Sequence, residues 1–175
     1  MRHKYATRAL VLSRGAAREA GLMLTLLTED FGLVRARAEG LRKSGAKLAS
    51  SLQTLCESDV TLVRGKDGWR LTGALLTENR FRTLDSESRA RAARISSLLL
   101  RLTPPDAQEP GYFLFYHQFL HDLSQMKPEE QDRAECVAAL SLLVMLGLDT
   151  GPVSTDEPRA SLVVRINRGI AASGL

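Results

Sequence analysis

The sequence predicts an α+β protein, with a small closed β-barrel or β-sandwich in its first half and an α-helical bundle in its second half. Residues 1–82 contain five short apolar or alternating runs separated by turn signals, a pattern typical of a small all-β domain. After residue 83 the apolar residues recur every three or four positions, the period of an amphipathic helix. The charge divides at the same point, because residues 1–82 hold 15 Lys and Arg against 8 Asp and Glu, whereas residues 83–175 hold 9 against 12. The net charges of +7 and −3 lead us to expect two domains, residues 1–82 and 83–175, with different partners.

The five predicted strands cover residues 5–12, 21–28, 34–39, 52–63 and 69–76. Acidic residues followed by glycine favour a tight turn at residues 29–32, and glycines favour a hairpin at residues 64–68. The third run alternates small apolar with charged residues, so its two faces differ in character. The apolar face is predicted to carry Val34, Ala36 and Ala38, and the charged face Arg35, Arg37 and Glu39.

Four helices are predicted, over residues 86–102, 110–123, 128–146 and 162–172. In the first, Ile95, Leu98, Leu99 and Leu102 have the i, i+3, i+4, i+7 spacing of one apolar helix face. Pro128 suits the first position of the third helix, because a helix start needs no N–H there. Residues 150–158 are polar and are predicted to form a loop.

Membrane, secreted and disulfide-rich classes are disfavoured. The longest nearly apolar run, residues 137–148, has 12 residues, whereas a membrane-spanning helix needs about 20. The apolar run after the charged start is too short for the core of a signal peptide. Cys56 and Cys136 are the two cysteines, which is too few for a disulfide scaffold or a four-cysteine zinc site. We expect a soluble cytoplasmic protein.

No pattern of catalytic residues stands out. His117 and His121 have the i, i+4 spacing of a metal-binding pair, but residues 118–120 include no glutamate of the catalytic type. Residues 30–32 match the magnesium-binding tripeptide of kinases, yet the rest of that signature is missing, so a turn is the better interpretation. Neither cysteine has a convincing histidine partner, and both are expected to be buried thiols. We predict a protein without enzymatic activity, catalytic residues, cofactor or metal.

Several short segments of the chain have a characteristic order and spacing, although none of them is a sharp signature by itself. The segments are ALVLS at 9–13, LTLLT at 24–28, FGLVRARA at 31–38, GLRKS at 40–44, Leu48, LQ at 52–53, VRG at 63–65, WRLT at 69–72 and INRGIAASGL at 166–175. In this order and spacing most of the chain resembles RecO, a bacterial family of recombination and repair mediators.

The resemblance implies an OB-fold barrel followed by a helical domain that binds partners. It also implies a mediator that binds single- and double-stranded DNA, anneals complementary strands and helps a recombinase to load. The implied partners are RecR and the acidic tail of the single-strand-binding protein, and the implied location is the nucleoid. Many relatives carry a four-cysteine zinc site in the helical domain, where this sequence has only Cys136, so we expect a short form without zinc.

Basic residues of the first domain are the predicted DNA-binding site. OB-folds bind single strands by combining Lys and Arg along the phosphates with aromatic stacking. The predicted site consists of Arg14, Arg18, Arg35, Arg37, Arg42, Lys43, Lys47, Arg64, Lys66 and Arg70. Trp69 is expected to pack in the core, so phosphate contacts should dominate and sequence preference should be weak. Solubilising surface charge is the alternative for individual members of the set.

A second basic set lies on the first predicted helix and could bind the acidic tail of the single-strand-binding protein. Its members Arg91, Arg94 and Arg101 are compatible with one helix face. Solvated helix charges are the alternative explanation for this set. For the whole protein the alternative is a non-catalytic interaction adaptor with an OB-like barrel that binds no DNA.

Overall fold

The structure is a computed structural model that describes residues 3–17, 21–38, 50–104, 107, 109 and 111–174. Its strands are β1 (Lys4–Ala16), β2 (Leu22–Thr28), β3 (Gly32–Ala38), β4 (Cys56–Gly65) and β5 (Gly68–Asn79). Its helices are α1 (Arg80–Thr83), α2 (Ser86–Leu102), α3 (Gly111–Gln125), α4 (Pro128–Met145) and α5 (Arg159–Ala172). The predicted α+β class, with strands followed by helices, is confirmed.

The strands close into a barrel in the order β1-β2-β3-β5-β4, and β4 pairs back onto β1. All neighbours are antiparallel except β3 and β5, which pair in parallel over three residues of each strand. A five-stranded Greek-key barrel of this kind is an OB-fold. The structure therefore confirms the OB-fold that the family resemblance implies.

The alternation predicted for β3 is present. Val34, Ala36 and Ala38 are buried in the barrel core, whereas Arg35 is exposed and Arg37 is half-buried. Glu39, the last residue predicted for the charged face, lies outside the described residues. Small apolar side chains on this strand leave room for the leucines that fill the core from β2 and β4.

Strands β1, β4 and β5 differ most from the sequence prediction. Strand β1 continues to Ala16, because its first half pairs with β4 and its second half with β2, with an irregularity in register between Val11 and Ser13. Strand β4 begins only at Cys56, since the preceding Leu55 has a left-handed backbone (φ 65°) that interrupts an extended strand. Strand β5 runs on to Asn79, past the predicted end.

The hairpin predicted at residues 64–68 is present. Gly65 pairs with Gly68, which leaves Lys66 and Asp67 as the two turn residues. Gly68 has a φ of 98°, a value that a side chain would disfavour, so glycine is needed where the chain re-enters the sheet.

The described contacts divide the chain into two compact units. The first contains the barrel, α1 and the described residues within 105–117, and the second contains residues 84–104 and 118–174. The prediction assigned residues 105–117 to the helical domain. In the structure the backbone N–H of Leu33 donates to the carbonyl of Ala107 at 3.0 Å, and His117 bonds Glu57 of β4, so this segment packs on the barrel.

The second unit contains α2, α4, α5 and the C-terminal part of α3. Asp85 caps α2 by accepting a hydrogen bond from the backbone N–H of Ser88 at 2.8 Å. Gln131 is buried, bonds the Ser88 hydroxyl at 3.0 Å and thereby ties α4 to α2. Helix α5 lies so close to α4 that a Cβ added at Gly169 would come within 2.9 Å of Leu143. Among the described residues, every helix is too short or too polar to span a bilayer.

Candidate nucleic-acid interface

Six of the predicted basic residues line two adjoining depressions on one face of the barrel. The larger, of about 970 Å³, lies between β3 and the β4–β5 hairpin. The smaller, of about 510 Å³, lies between β3 and the end of β1, and the two share Met23, Arg35 and Arg37. We call the pair the basic groove. Its charged lining residues are Arg14, Arg35, Arg37, Arg64, Lys66, Arg70 and Asp67.

Sheet register brings these residues together from distant parts of the sequence. The parallel pairing of β3 with β5 sets Arg37 beside Arg70, and the antiparallel pairing of β2 with β3 sets Met23 beside Arg37. Arg35 is one alternation earlier on the same face of β3, opposite Thr25 of β2. The groove therefore depends on the one parallel strand pairing in the barrel. No local sequence pattern predicts that pairing.

Basic side chains outnumber acidic ones among the described residues that line the groove. Those residues include six basic side chains and one acidic one, Asp67. Arg14, Arg35 and Lys66 are exposed, and none of the three forms an ion pair with another described residue. Like charges held close together with few counter-charges create a positive potential that attracts polyanions.

An aromatic ring also lines the groove. Trp69 is partly buried against the barrel core, as predicted, but part of its surface opens into the larger depression. The guanidinium carbon of Arg64 lies 5.3 Å from the centre of the Trp69 ring system, within the range of a cation–π contact. The sequence prediction favoured core packing for Trp69 over stacking, because the register of its strand was not known.

Four further residues of the predicted DNA-binding set lie outside the described residues. They are Arg18, Arg42, Lys43 and Lys47. The assignment of individual basic residues to DNA contact stays a prediction for the whole set.

Two of the three helix arginines predicted to bind a partner take part in ion pairs within the second unit. Arg91 reaches Glu135 of α4 at 2.8 Å and Asp132 at 3.5 Å, and Arg94 also bonds Glu135. The carboxylate of Glu135 raises the pKa of the Arg94 guanidinium. Arg101 is exposed and has no ion pair with a described residue. Sequence reasoning missed these pairs because the carboxylates stand on another helix, more than forty residues away.

A buried carboxylate in the barrel also escaped the sequence analysis. Glu57 of β4 is only 4% exposed, and three basic side chains lie close to its carboxylate. His117 Nδ1 lies 3.0 Å from its Oε2, and the guanidiniums of Arg8 and Arg80 each approach a carboxylate oxygen at 3.8 Å. This cluster joins the first turns of α3 to the barrel.

The contacts around Glu57 also show that His117 and His121 have different surroundings. His117 is engaged by Glu57 and stacks on Phe113 with ring centres 5.9 Å apart, whereas His121 is exposed. Within the part of the chain that the structure describes, no three His, Cys, Asp or Glu side chains are grouped so as to hold a metal ion.

The fold and the groove together define an OB-fold protein with a basic β2–β3 face. This face, with the loops at its ends, is where OB-folds bind oligonucleotides. Residues 1–80 match the family model described as Recombination protein O N terminal. The chain therefore belongs to the RecO family.

Two curated relatives show how far the similarity extends. The DNA repair protein RecO of Dehalococcoides mccartyi strain BAV1 is 31% identical over 122 residues, which is 69% of this chain and 48% of the relative. The DNA repair protein RecO of Desulforudis audaxviator is 33% identical over 126 residues, which is 71% of this chain and 50% of the relative. The chain thus spans about half the length of the curated relatives it matches.

Proposed function

We propose that the protein is a DNA-binding recombination mediator that acts in DNA repair. The observation that supports this function most directly is the basic groove, whose described lining has six basic side chains and one acidic one, on the face that OB-folds use for oligonucleotides. Membership of the RecO family supports a role in repair and recombination.

The groove suits contacts to phosphate more than to base edges. Each Lys or Arg that neutralises a phosphate releases a condensed counterion, which gives binding that depends on salt but little on sequence. Single- and double-stranded DNA both present phosphates, so both are proposed substrates. A surface that holds two backbones close together and offsets their repulsion would also promote annealing of complementary strands.

Partners are proposed for the second unit. Exposed Arg101, with Arg91 and Arg94 on the same helix, is the proposed contact for the acidic tail of the single-strand-binding protein. RecR is the second proposed partner, and the two together would allow a recombinase to replace the single-strand-binding protein on DNA. The protein would act by binding rather than catalysis, in the cytoplasm at the nucleoid.

Fluorescence anisotropy tests the DNA-binding part of the proposal. Labelled single-stranded and duplex oligonucleotides are titrated with protein at about 50 and about 200 mM salt, and binding should weaken steeply at the higher concentration. Absence of binding at about 50 mM salt would instead favour an interaction adaptor that does not bind DNA.

A double charge reversal locates the site. Arg35→Glu with Arg37→Glu should weaken binding of both oligonucleotides by at least tenfold, because two attractive contacts become repulsive. The matched control is Arg101→Glu with Arg168→Glu, which changes the net charge equally at exposed positions of the second unit. Equal affinities of the two variants would place the DNA contact away from the groove.

Partner binding is tested separately. A peptide with the acidic tail of the single-strand-binding protein should bind the wild type, and Arg101→Glu should weaken that binding without changing affinity for DNA. Strand annealing is measured with complementary oligonucleotides coated by the single-strand-binding protein. Failure to accelerate annealing would remove that activity from the proposal while leaving DNA binding intact.

A further inference from the structure

The basic groove has an aromatic residue, Trp69, among its cations. Trp69 is the only tryptophan in the chain and is the second residue of β5, beside Ala36 of β3. Trp69 lines the larger depression together with Arg35, Arg64 and Arg70, so an apolar residue lies among the proposed phosphate contacts.

The ring is held rigidly from the side of the core. Tyr5 meets it edge to face, with centres 5.4 Å apart and planes at 78°, and Phe31 lies 5.5 Å away. Tyr5 and Phe31 also contact each other at 5.4 Å, and all three pack against the buried core cluster. A surface already fixed in the free protein loses little conformational freedom when a ligand stacks on it.

The side chain that lies over the indole is itself exposed. The Arg64 guanidinium lies over the ring, but Arg64 is exposed and forms no ion pair with another described residue. It can leave the ring and turn to a phosphate without breaking a buried contact. An apolar face would then be open to a planar ligand.

We propose that Trp69 is a stacking platform for an unpaired nucleobase, with Arg64 moving from the indole to the adjacent phosphate. This inference rests on the proposed DNA binding and deepens it. A base within a duplex already has both faces stacked, whereas an unpaired base can place one face on the indole. Trp69 therefore gives single strands an affinity that duplexes of equal charge lack.

The intrinsic fluorescence of the protein reports on the platform directly, because it comes from a single indole. The wild type is titrated with an oligothymidylate of about 15 nucleotides, a length within the site size of an OB-fold. An abasic strand of equal length and a duplex are titrated in parallel, and anisotropy measures binding of all three. We expect the oligothymidylate to quench the fluorescence strongly, and the abasic strand to bind with little quenching.

Substitutions then separate stacking from packing. Trp69→Leu should weaken oligothymidylate binding roughly tenfold, since a stacked base contributes about that much, and should leave the abasic strand within about twofold. Trp69→Phe keeps an aromatic ring and should recover part of the loss. Phe31→Leu is the matched control, because it removes an aromatic ring from the same cluster but does not line the groove. Its affinity for the oligothymidylate should stay closer to that of the wild type than to that of Trp69→Leu, because the indole is retained.

The possible failures are distinguishable. If the oligothymidylate binds without quenching, and Trp69→Leu binds it as tightly as the wild type, the stacking platform is wrong while DNA binding stands. If abasic strand and oligothymidylate quench equally, displacement of Arg64 by phosphate accounts for the signal, and stacking is again wrong. If no strand binds, the proposed function itself is overturned, and the stacking platform with it.

Discussion

Removing two cations from the basic groove should reduce the salt dependence of DNA binding by a calculable amount. The variant combines Arg35→Gln on β3 with Lys66→Gln at the tip of the β4–β5 hairpin. Both side chains are exposed and neither pairs with a described carboxylate, so their loss leaves no buried charge behind. A change in affinity would then reflect lost contacts with DNA rather than a damaged fold.

The expected magnitude follows from the number of cations in the groove. Each contact with a single strand contributes about −0.7 to the slope of log K against log salt, so six contacts give about −4.2 and four give about −2.8. Between about 50 and 200 mM salt, the wild type should lose about 300-fold in affinity and the variant about 50-fold. Contacts by basic residues beyond these six would steepen both slopes equally. The two slopes should therefore differ by about 1.4 whatever the total number of contacts.

Anisotropy titrations at four or five salt concentrations measure both slopes. The control, Arg101→Gln with Arg168→Gln, removes the same net charge from exposed positions of the second unit and should keep the wild-type slope. A groove variant whose slope differs from that of the wild type by less than about 0.5 would refute the phosphate-binding role of Arg35 and Lys66.

Three further predictions concern stability, each measured by urea unfolding. His117→Ala removes a hydrogen bond to the buried Glu57 carboxylate and should destabilise the protein by about 1–3 kcal/mol, whereas His121→Ala at an exposed site should change stability by less than about 0.5 kcal/mol. Equal effects would contradict the anchoring role of Glu57. Gly169→Ala gains about 1 kcal/mol in helix propensity but forces a Cβ to within 2.9 Å of buried Leu143, so overpacking of about 1–3 kcal/mol should leave a net loss; a stabilised variant would contradict this packing. Lowering the pH from 6 to 3.5 should destabilise the protein, because arginine hydrogen bonds hold the pKa of several carboxylates below its ordinary value. Stability from such groups is complete above their unfolded pKa of about 4 and is lost as pH falls towards the folded pKa, so a protein more stable at pH 3.5 would refute the assignment. These carboxylates are Glu29, Asp132 and Asp149.

Local features of the fold were predictable because they depend on neighbouring residues. The alternation around Arg35 and Arg37 indicates a strand with one buried face, and the glycines on either side of Lys66 indicate a hairpin. The helix over residues 86–102 was predicted with its observed bounds, because its apolar period is regular. Strand ends were less accurate, since the end of β1 depends on pairing with two different partners.

The order of a basic barrel and a helical part follows from the residues alone, as does the choice of basic residues that are candidates for DNA contact. That six of them line one groove follows from the fold, because the parallel pairing that sets Arg37 beside Arg70 joins residues 33 positions apart. The fold also decided that Trp69 faces both the core and the groove, and that Glu57 is buried among basic groups. Register between distant strands depends on closure of the whole barrel, and no short-range pattern encodes it.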